Sequence, residues 1–229
     1  MYRLHRGLIV SCQATKDEPL YGIGIMTKMA LAAKAGGAVG LRANGIEDII
    51  GIKKVCNLPI IGIVKRVYSE YEVYITPSMV EVEELIHAGS DIIALDATMR
   101  PRPGFDSPEK FINEIKRKYN QCVMAYVSTY EEGINAFKAG ADIIATTLSG
   151  YTAYTLKRLD PDINLVKKLS DSLEIPVIAE GNIETPQQAV KCLKAGAFAV
   201  VVGSAITRPQ MITKRFVDEI NEKSLTQGG

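Results

Sequence analysis

The stretch Lys138-Ala139-Gly140-Ala141-Asp142-Ile143-Ile144-Ala145 decides the fold. Lys138 and Ala139 close a helical pattern, and Gly140 is the residue type that ends helices. Ile143, Ile144 and Ala145 then form a short continuous apolar run, suited to a strand buried on both faces. The pattern recurs in His87-Ala88-Gly89-Ser90-Asp91-Ile92-Ile93-Ala94 and in Lys194-Ala195-Gly196-Ala197-Phe198-Ala199-Val200-Val201, and more weakly in Lys34-Ala35-Gly36-Gly37-Ala38-Val39. Repeated helix-to-strand turns of this kind mark a chain built of βα units.

Outward from these copies, hydrophobic periodicity places strands at 7–12, 39–41, 60–64, 92–95, 122–125, 143–145, 177–179 and 199–202. Helices are expected at 26–35, 46–56, 78–88, 107–119, 130–139, 164–173, 186–195 and 210–223. Pro108, one residue after the potential cap Ser107, is a good helix start. This alternation fits an α/β fold of one closed (β/α)8 TIM barrel over residues 1–223, with 224–229 as a disordered tail. An open doubly wound sheet is the alternative, but it would carry an early glycine-rich dinucleotide turn. Gly22-Ile23-Gly24 has no third glycine at the required spacing and does not directly follow a strand.

The bulk composition narrows the function. At 229 residues and 47% hydrophobic content the chain can bury one large core. Lys and Arg number 27 against 26 Asp and Glu, so there is no electrostatic case for nucleic acid or an anionic membrane as a partner. Cys12, Cys56, Cys122 and Cys192 lie far apart with no C-x-x-C pair, and only His5 and His87 could join them, which argues against a metal site or disulfide framework. The basic start Met1 to Arg6 is followed by apolar residues only as far as Val10, short for a signal peptide, and no run has the length of a membrane span. A soluble cytoplasmic protein with reduced thiols is expected.

In this fold, active sites lie at the C-terminal ends of the strands. Those ends carry Ser11 and Gln13, Arg42 and Asn44, Lys65 and Arg66, Asp96, Tyr126, Thr146 and Thr147, Glu180 to Asn182, and Gly203 and Ser204. Gly181-Asn182 and Gly203-Ser204, with Arg208 beyond, form a candidate phosphate site after strands 7 and 8. Glycine lets backbone N–H groups approach an anion, and arginine adds a charged two-point contact. Strand parity puts Lys65 in phase with Ile61 and Ile63 and Arg66 in phase with Val64, so one of the two enters the barrel mouth. A lysine among apolar neighbours and cations has a lowered pKa and can act as a base, although an ion pair with Asp96 would engage it otherwise. Asp96 could instead bind sugar hydroxyls or orient Lys65. The long loop 146–162, with Tyr151 and Tyr154, has the composition of a lid.

Together these stretches resemble the N-acetylmannosamine-6-phosphate 2-epimerase family. The resemblance is carried by Gly7-Leu8-Ile9-Val10-Ser11-Cys12-Gln13-Ala14, Gly40-Leu41-Arg42-Ala43-Asn44, Gly62-Ile63-Val64-Lys65-Arg66, Ala94-Leu95-Asp96-Ala97-Thr98, Thr146-Thr147-Leu148-Ser149-Gly150-Tyr151-Thr152, Ile178-Ala179-Glu180-Gly181-Asn182 and Gly203-Ser204-Ala205-Ile206-Thr207-Arg208-Pro209. It implies a barrel, commonly a homodimer, that interconverts N-acetylmannosamine 6-phosphate and N-acetylglucosamine 6-phosphate in sialic acid catabolism without metal or other cofactor. It implies Lys65 and Glu180 as catalytic residues, with Gln13 and Arg42 on the sugar; Asp96, Tyr126, Thr147 and Tyr151 are further candidate substrate contacts. The phosphate would sit on Gly181, Asn182, Gly203, Ser204 and Arg208. One departure stands out: Met124-Ala125-Tyr126-Val127-Ser128 has tyrosine where the family usually has aspartate. The rival expectations are a sugar-phosphate-binding homologue with reduced or lost turnover because of Tyr126, and an aldolase using Lys65 as a Schiff-base nucleophile.

Overall fold

The computed structural model describes residues 4–226; Met1, Tyr2 and Arg3 of the basic start and 227–229 of the expected tail lie outside them. The chain runs β1 (Gly7–Cys12), α1 (Ile25–Ala35), β2 (Gly40–Asn44), α2 (Ile46–Val55), β3 (Ile60–Ile63), α3 (Met79–His87), β4 (Ile92–Asp96), α4 (Pro108–Tyr119), β5 (Val123–Tyr126) and α5 (Tyr130–Lys138). It continues with β6 (Ile143–Ala145), α6 (Ile163–Ser172), β7 (Val177–Glu180), α7 (Pro186–Lys194), β8 (Ala199–Val202), α8 (Ser204–Thr207) and α9 (Pro209–Thr226). The eight strands are parallel and close in chain order, β8 pairing back to β1 with Gly7 opposite Ala199. The expected TIM barrel is therefore the observed fold, and the open sheet is not.

Two alternating sets of apolar residues explain the closure. Ile9, Ile61, Ile63, Ala94, Met124, Ile143, Ile178 and Val201 pack inside the barrel. Their neighbours in the strands, among them Val10, Leu41, Ile60, Ile93 and Ile144, pack in the larger core that includes residues of the surrounding helices. A strand covered on both faces must be apolar at successive positions, which is why the sequence offers continuous runs rather than alternation. The polar residues that continue the inward phase past the strand ends emerge in the mouth.

The turns follow from their residues. In three of the repeat copies the helix ends one residue before the alanine, and the next residue, Gly89, Gly140 or Gly196, has φ of +82°, +92° or +109°. That is the left-handed region that glycine enters without a Cβ penalty. In the weaker copy α1 runs through Ala35, so the left-handed residue is Gly37 rather than Gly36, one position later. The aspartate of the pattern has a definite task. Asp91 accepts from the Ile60 N–H and Lys53, and Asp142 from the Val123 N–H and Lys116, fastening the start of one strand to the next unit. Capping boxes at Ser78/Glu81, Thr129/Glu132 and Thr185/Gln188 start α3, α5 and α7. Ser78 thus caps α3 instead of lying in it, and Ser107 caps α4 ahead of Pro108 as its sequence position suggests. The short helix α8 was not expected, and α9 continues through Thr226, past the position where the tail was placed.

Candidate active site

The C-terminal ends of the strands surround a cavity of about 260 Å³. Its lining brings together Gln13, Arg42, Lys65, Thr147, Tyr151, Glu180, Gly181, Asn182, Gly203, Ser204 and Arg208, which the sequence scatters over most of its length. Ile75, Leu148 and Val201 supply apolar wall, a usual mixture for a site that takes a small molecule.

The floor is a fixed ion pair. Arg42 Nη1 lies 2.7 Å from Glu180 Oε1, with the two side chains only 8% and 7% exposed. Register explains the support beneath Arg42: β1 sets Ser11 opposite Arg42, and the Ser11 hydroxyl accepts from Arg42 Nε and Nη2 at 2.9 and 2.7 Å. The other carboxylate oxygen of Glu180 accepts from the Thr147 hydroxyl at 2.9 Å, while the Thr146 hydroxyl donates to the Glu180 carbonyl and accepts from its N–H. Both oxygens of Glu180 are thus held, and its orientation is set before any ligand arrives.

Lys65 enters the same space. Inward phase wins over Arg66, which turns outward to Glu81 and Glu84 at 2.5 and 3.0 Å. The backbone beyond β3 doubles back, with Lys65 bridged to Ile75 and the Lys65 N–H donating to Asn44 Oδ1 at 2.9 Å. Among the described residues Lys65 Nζ has no hydrogen-bond or ion-pair partner, so the alternative pair with Asp96 does not form. Burial, then the nearby charges of Arg42 and Arg208, bring the Lys65 ammonium down to about 8, against the opposing pull of Glu180 and Glu18. A substantial neutral fraction near physiological pH gives this amine the capacity of a base.

Opposite lies a glycine-lined end. Gly181 has φ of +108°, Asn182 has +53°, and Gly203 precedes the short helix α8. Asn182 is tied to the 146–162 loop, its Oδ1 accepting from the Tyr151 hydroxyl at 2.8 Å and its Nδ2 donating to the Arg158 carbonyl at 3.1 Å. Arg208 reaches the cavity with Nη1 donating to Ser204 Oγ at 3.2 Å.

Two expected substrate contacts are placed elsewhere. Asp96 is fully buried and its carboxylate accepts from the Thr98 N–H, the Thr98 hydroxyl and Arg100 Nη2 at 2.9, 2.6 and 2.6 Å, while Arg102 binds its carbonyl; it organises the loop after β4 and is not in the cavity wall. Tyr126 is also fully buried, among the side chains inside the barrel, and does not line the cavity. Its hydroxyl makes no well-formed hydrogen bond but lies against the Arg42–Glu180 pair; burial and then the Glu180 charge raise its pKa against the opposing pull of Arg42, so the phenol stays neutral. Tyr74 and Glu184 line the cavity although nothing in the pattern marked them. Tyr74 owes its place to the fold-back after β3, where its carbonyl accepts from the Arg66 N–H. The thiols of Cys12 and Cys192 are pushed up by burial to about 12 and about 11, which makes them poor nucleophiles. No group of three or more His, Cys, Asp or Glu able to hold a metal occurs among the described residues.

Fold and site together define a (β/α)8-barrel protein with an amine of lowered pKa and an immobilised carboxylate sharing one mouth cavity. Similarity to known proteins narrows that class. A family model described as "Putative N-acetylmannosamine-6-phosphate epimerase" matches residues 26–222, and the chain belongs to that family. A relative from Caldanaerobacter subterraneus subsp. tengcongensis, described as a "Putative N-acetylmannosamine-6-phosphate 2-epimerase", is 54% identical over 222 residues, 96% of this chain and 94% of the relative. One of the same description from Borreliella afzelii is 54% identical over 224 residues, 96% and 97% of the two chains. The solved N-acetylmannosamine-6-phosphate 2-epimerase from Clostridium perfringens is 52% identical, with a TM-score of 0.88 over 92% of each chain. A thiamine phosphate pyrophosphorylase from Pyrococcus furiosus, 19% identical with a TM-score of 0.59 over 89% of this chain and 90% of its own, shares the fold alone.

Proposed function

We propose that this protein interconverts N-acetylmannosamine 6-phosphate and N-acetylglucosamine 6-phosphate by removing and returning the proton on carbon 2, a step of sialic acid and amino sugar catabolism. The observation that carries the proposal is the unpaired Lys65 amine, brought to about 8, in one cavity with the held Glu180 carboxylate. The relatives' names supply the substrate.

A proton on carbon 2 of a closed amino sugar is hardly acidic, and it becomes removable once the ring opens and an aldehyde stands next to it. Glu180, fixed by Arg42 and Thr147, accepts the proton of the anomeric hydroxyl as the ring bond breaks and delivers it to the ring oxygen, returning to the carboxylate. Lys65, entering as the neutral amine, takes the carbon 2 proton, and the resulting ammonium stabilises the enolate. Return of a proton to the opposite face of the planar carbon inverts it, and return to the same face regenerates the substrate. Gln13, Arg42, Thr147 and Tyr151 line the sugar end, and Gly181, Asn182, Gly203, Ser204 and Arg208 take the phosphate. The scheme employs no metal or other cofactor.

The similarity to relatives more than 50% identical and described as epimerases favours an active epimerase over the binding homologue. The test is an NMR time course of N-acetylmannosamine 6-phosphate with the protein. Growth of N-acetylglucosamine 6-phosphate signals is expected, and binding without conversion would select the homologue instead.

A homodimer is the assembly we infer. Phe216, Val217 and Ile220 of α9 are exposed side by side, and an apolar groove lined by Leu8, Pro186, Ala189, Val190, Leu193 and Ile206 runs along α7 over β1 and β8. An uncovered apolar helix face and an uncovered apolar groove on one chain are what self-association would cover. No helix of the described residues is long and apolar enough to cross a membrane, and no disulfide joins cysteines among the described residues. Together with the near-balanced charge, these support a cytoplasmic location with neither nucleic acid nor membrane as partner.

A further inference from the structure

Glu18 lies in the loop after β1, outside the cavity wall and 190 residues from Arg208 in sequence, yet the two form the best-connected ion pair near the site. Arg208 Nε is 2.6 Å from Glu18 Oε1, and Arg208 Nη2 donates to Glu18 Oε2 at 3.1 Å. Glu18 is itself held: the Thr15 N–H and hydroxyl donate to Oε2 at 2.8 and 3.1 Å, and Gln210 Nε2 donates to Oε1 at 3.1 Å. A guanidinium has five N–H bonds. One N–H of Arg208 Nη2 goes to Glu18 and one of Nη1 to Ser204 Oγ, with Nε in ionic contact with Glu18, which leaves one N–H on each of Nη1 and Nη2 unassigned on the side chain that lines the cavity.

We propose that Glu18 is a positioning residue for anion recognition, a carboxylate behind Arg208 that fixes the guanidinium so that its remaining N–H groups and the Ser204 hydroxyl meet the substrate phosphate. This rests on the phosphate assignment above and extends it. With Arg208 freed, its long side chain must be immobilised each time the ligand binds, which weakens binding by about fivefold. Coulomb repulsion alone predicts the opposite, because removing a carboxylate near an anion site would tighten binding. The sign of the effect therefore discriminates between the two.

The experiment measures KM and kcat for N-acetylmannosamine 6-phosphate in Glu18→Gln, Arg208→Gln and the double variant. Glu18→Gln keeps the side chain's size and an oxygen for the Thr15 N–H. The expected result is a KM raised about fivefold with kcat within twofold of the parent, and no further rise when Glu18→Gln is added to Arg208→Gln. A KM that falls or is unchanged in Glu18→Gln, while Arg208→Gln raises it, overturns the positioning role and leaves the phosphate assignment standing. A Glu18→Gln effect that persists without Arg208 also overturns it, by locating the effect in the loop. An Arg208→Gln variant with unchanged KM sinks both.

Discussion

The perturbation that bears most on the chemistry is pH, because Lys65 must enter as a neutral amine. With its pKa brought to about 8, about one tenth of the enzyme carries the neutral amine at pH 7 and about nine tenths at pH 9. A lysine at the ordinary 10.5 would be neutral in only about three molecules in ten thousand at pH 7, so the environment raises the competent fraction roughly 300-fold. The direction follows from the sign: a base of lowered pKa gains activity as pH rises through that pKa and is saturated above it. We expect kcat/KM, which reports the free enzyme, to rise about tenfold between pH 7 and 9 with a midpoint near 8. The assay is the initial rate at substrate well below KM, followed by NMR in matched ionic strength. Arg208→Gln removes one of the cations that lower the Lys65 pKa, so it moves the midpoint upward. Lys65→Met should lower kcat by about 10²-fold or more. A profile flat from pH 7 to 9, or a Lys65→Met variant within a few-fold of the parent, refutes Lys65 as the base.

Three further outcomes follow. Tyr126→Phe deletes a buried hydroxyl that makes no well-formed hydrogen bond, so stability to denaturant should change by no more than about 1 kcal/mol and kcat/KM by no more than about threefold; a larger loss of either would give the hydroxyl a part in holding the Arg42–Glu180 pair it lies against. Tyr126→Asp vacates fully buried space and sets a carboxylate near Glu180, so we expect a loss of about 3–5 kcal/mol in equilibrium unfolding rather than a gain in activity, and a stable, faster variant would contradict that. Phe216→Asp places a charge on the apolar face of α9 and should give monomers by light scattering at concentrations where the parent is a dimer; dimers of unchanged stability would move the interface elsewhere.

The barrel could be inferred from sequence because its information is local. Each repeat copy holds a helix end, a turn glycine and an apolar strand within eight residues, and parity set Lys65 and Arg66 on opposite faces with one of them in the mouth, the place that Lys65 takes. Ser204-Ala205-Ile206-Thr207 was missed as a helix because one turn is too short to show a period. The expected contacts that lie outside the cavity wall share a different cause. Asp96 continues the inward phase of β4, but Thr98, Arg100 and Arg102 in the following loop use up its acceptors, a competition that no strand pattern encodes. Tyr126 ends β5 as a site residue would, yet its ring occupies the barrel interior beneath the wall. Tyr74 and the Glu18–Arg208 pair depend on loops folding back onto distant elements, so nothing in their neighbouring residues announced them.

The central claim is that carbon 2 loses its proton and regains one inside this cavity. Turnover of N-acetylmannosamine 6-phosphate in heavy water, followed by NMR, reports conversion and proton exchange together. We predict that N-acetylglucosamine 6-phosphate forms with deuterium at carbon 2, and that both conversion and exchange are lost in Lys65→Met. Product formed with the original proton retained at carbon 2 would contradict the account.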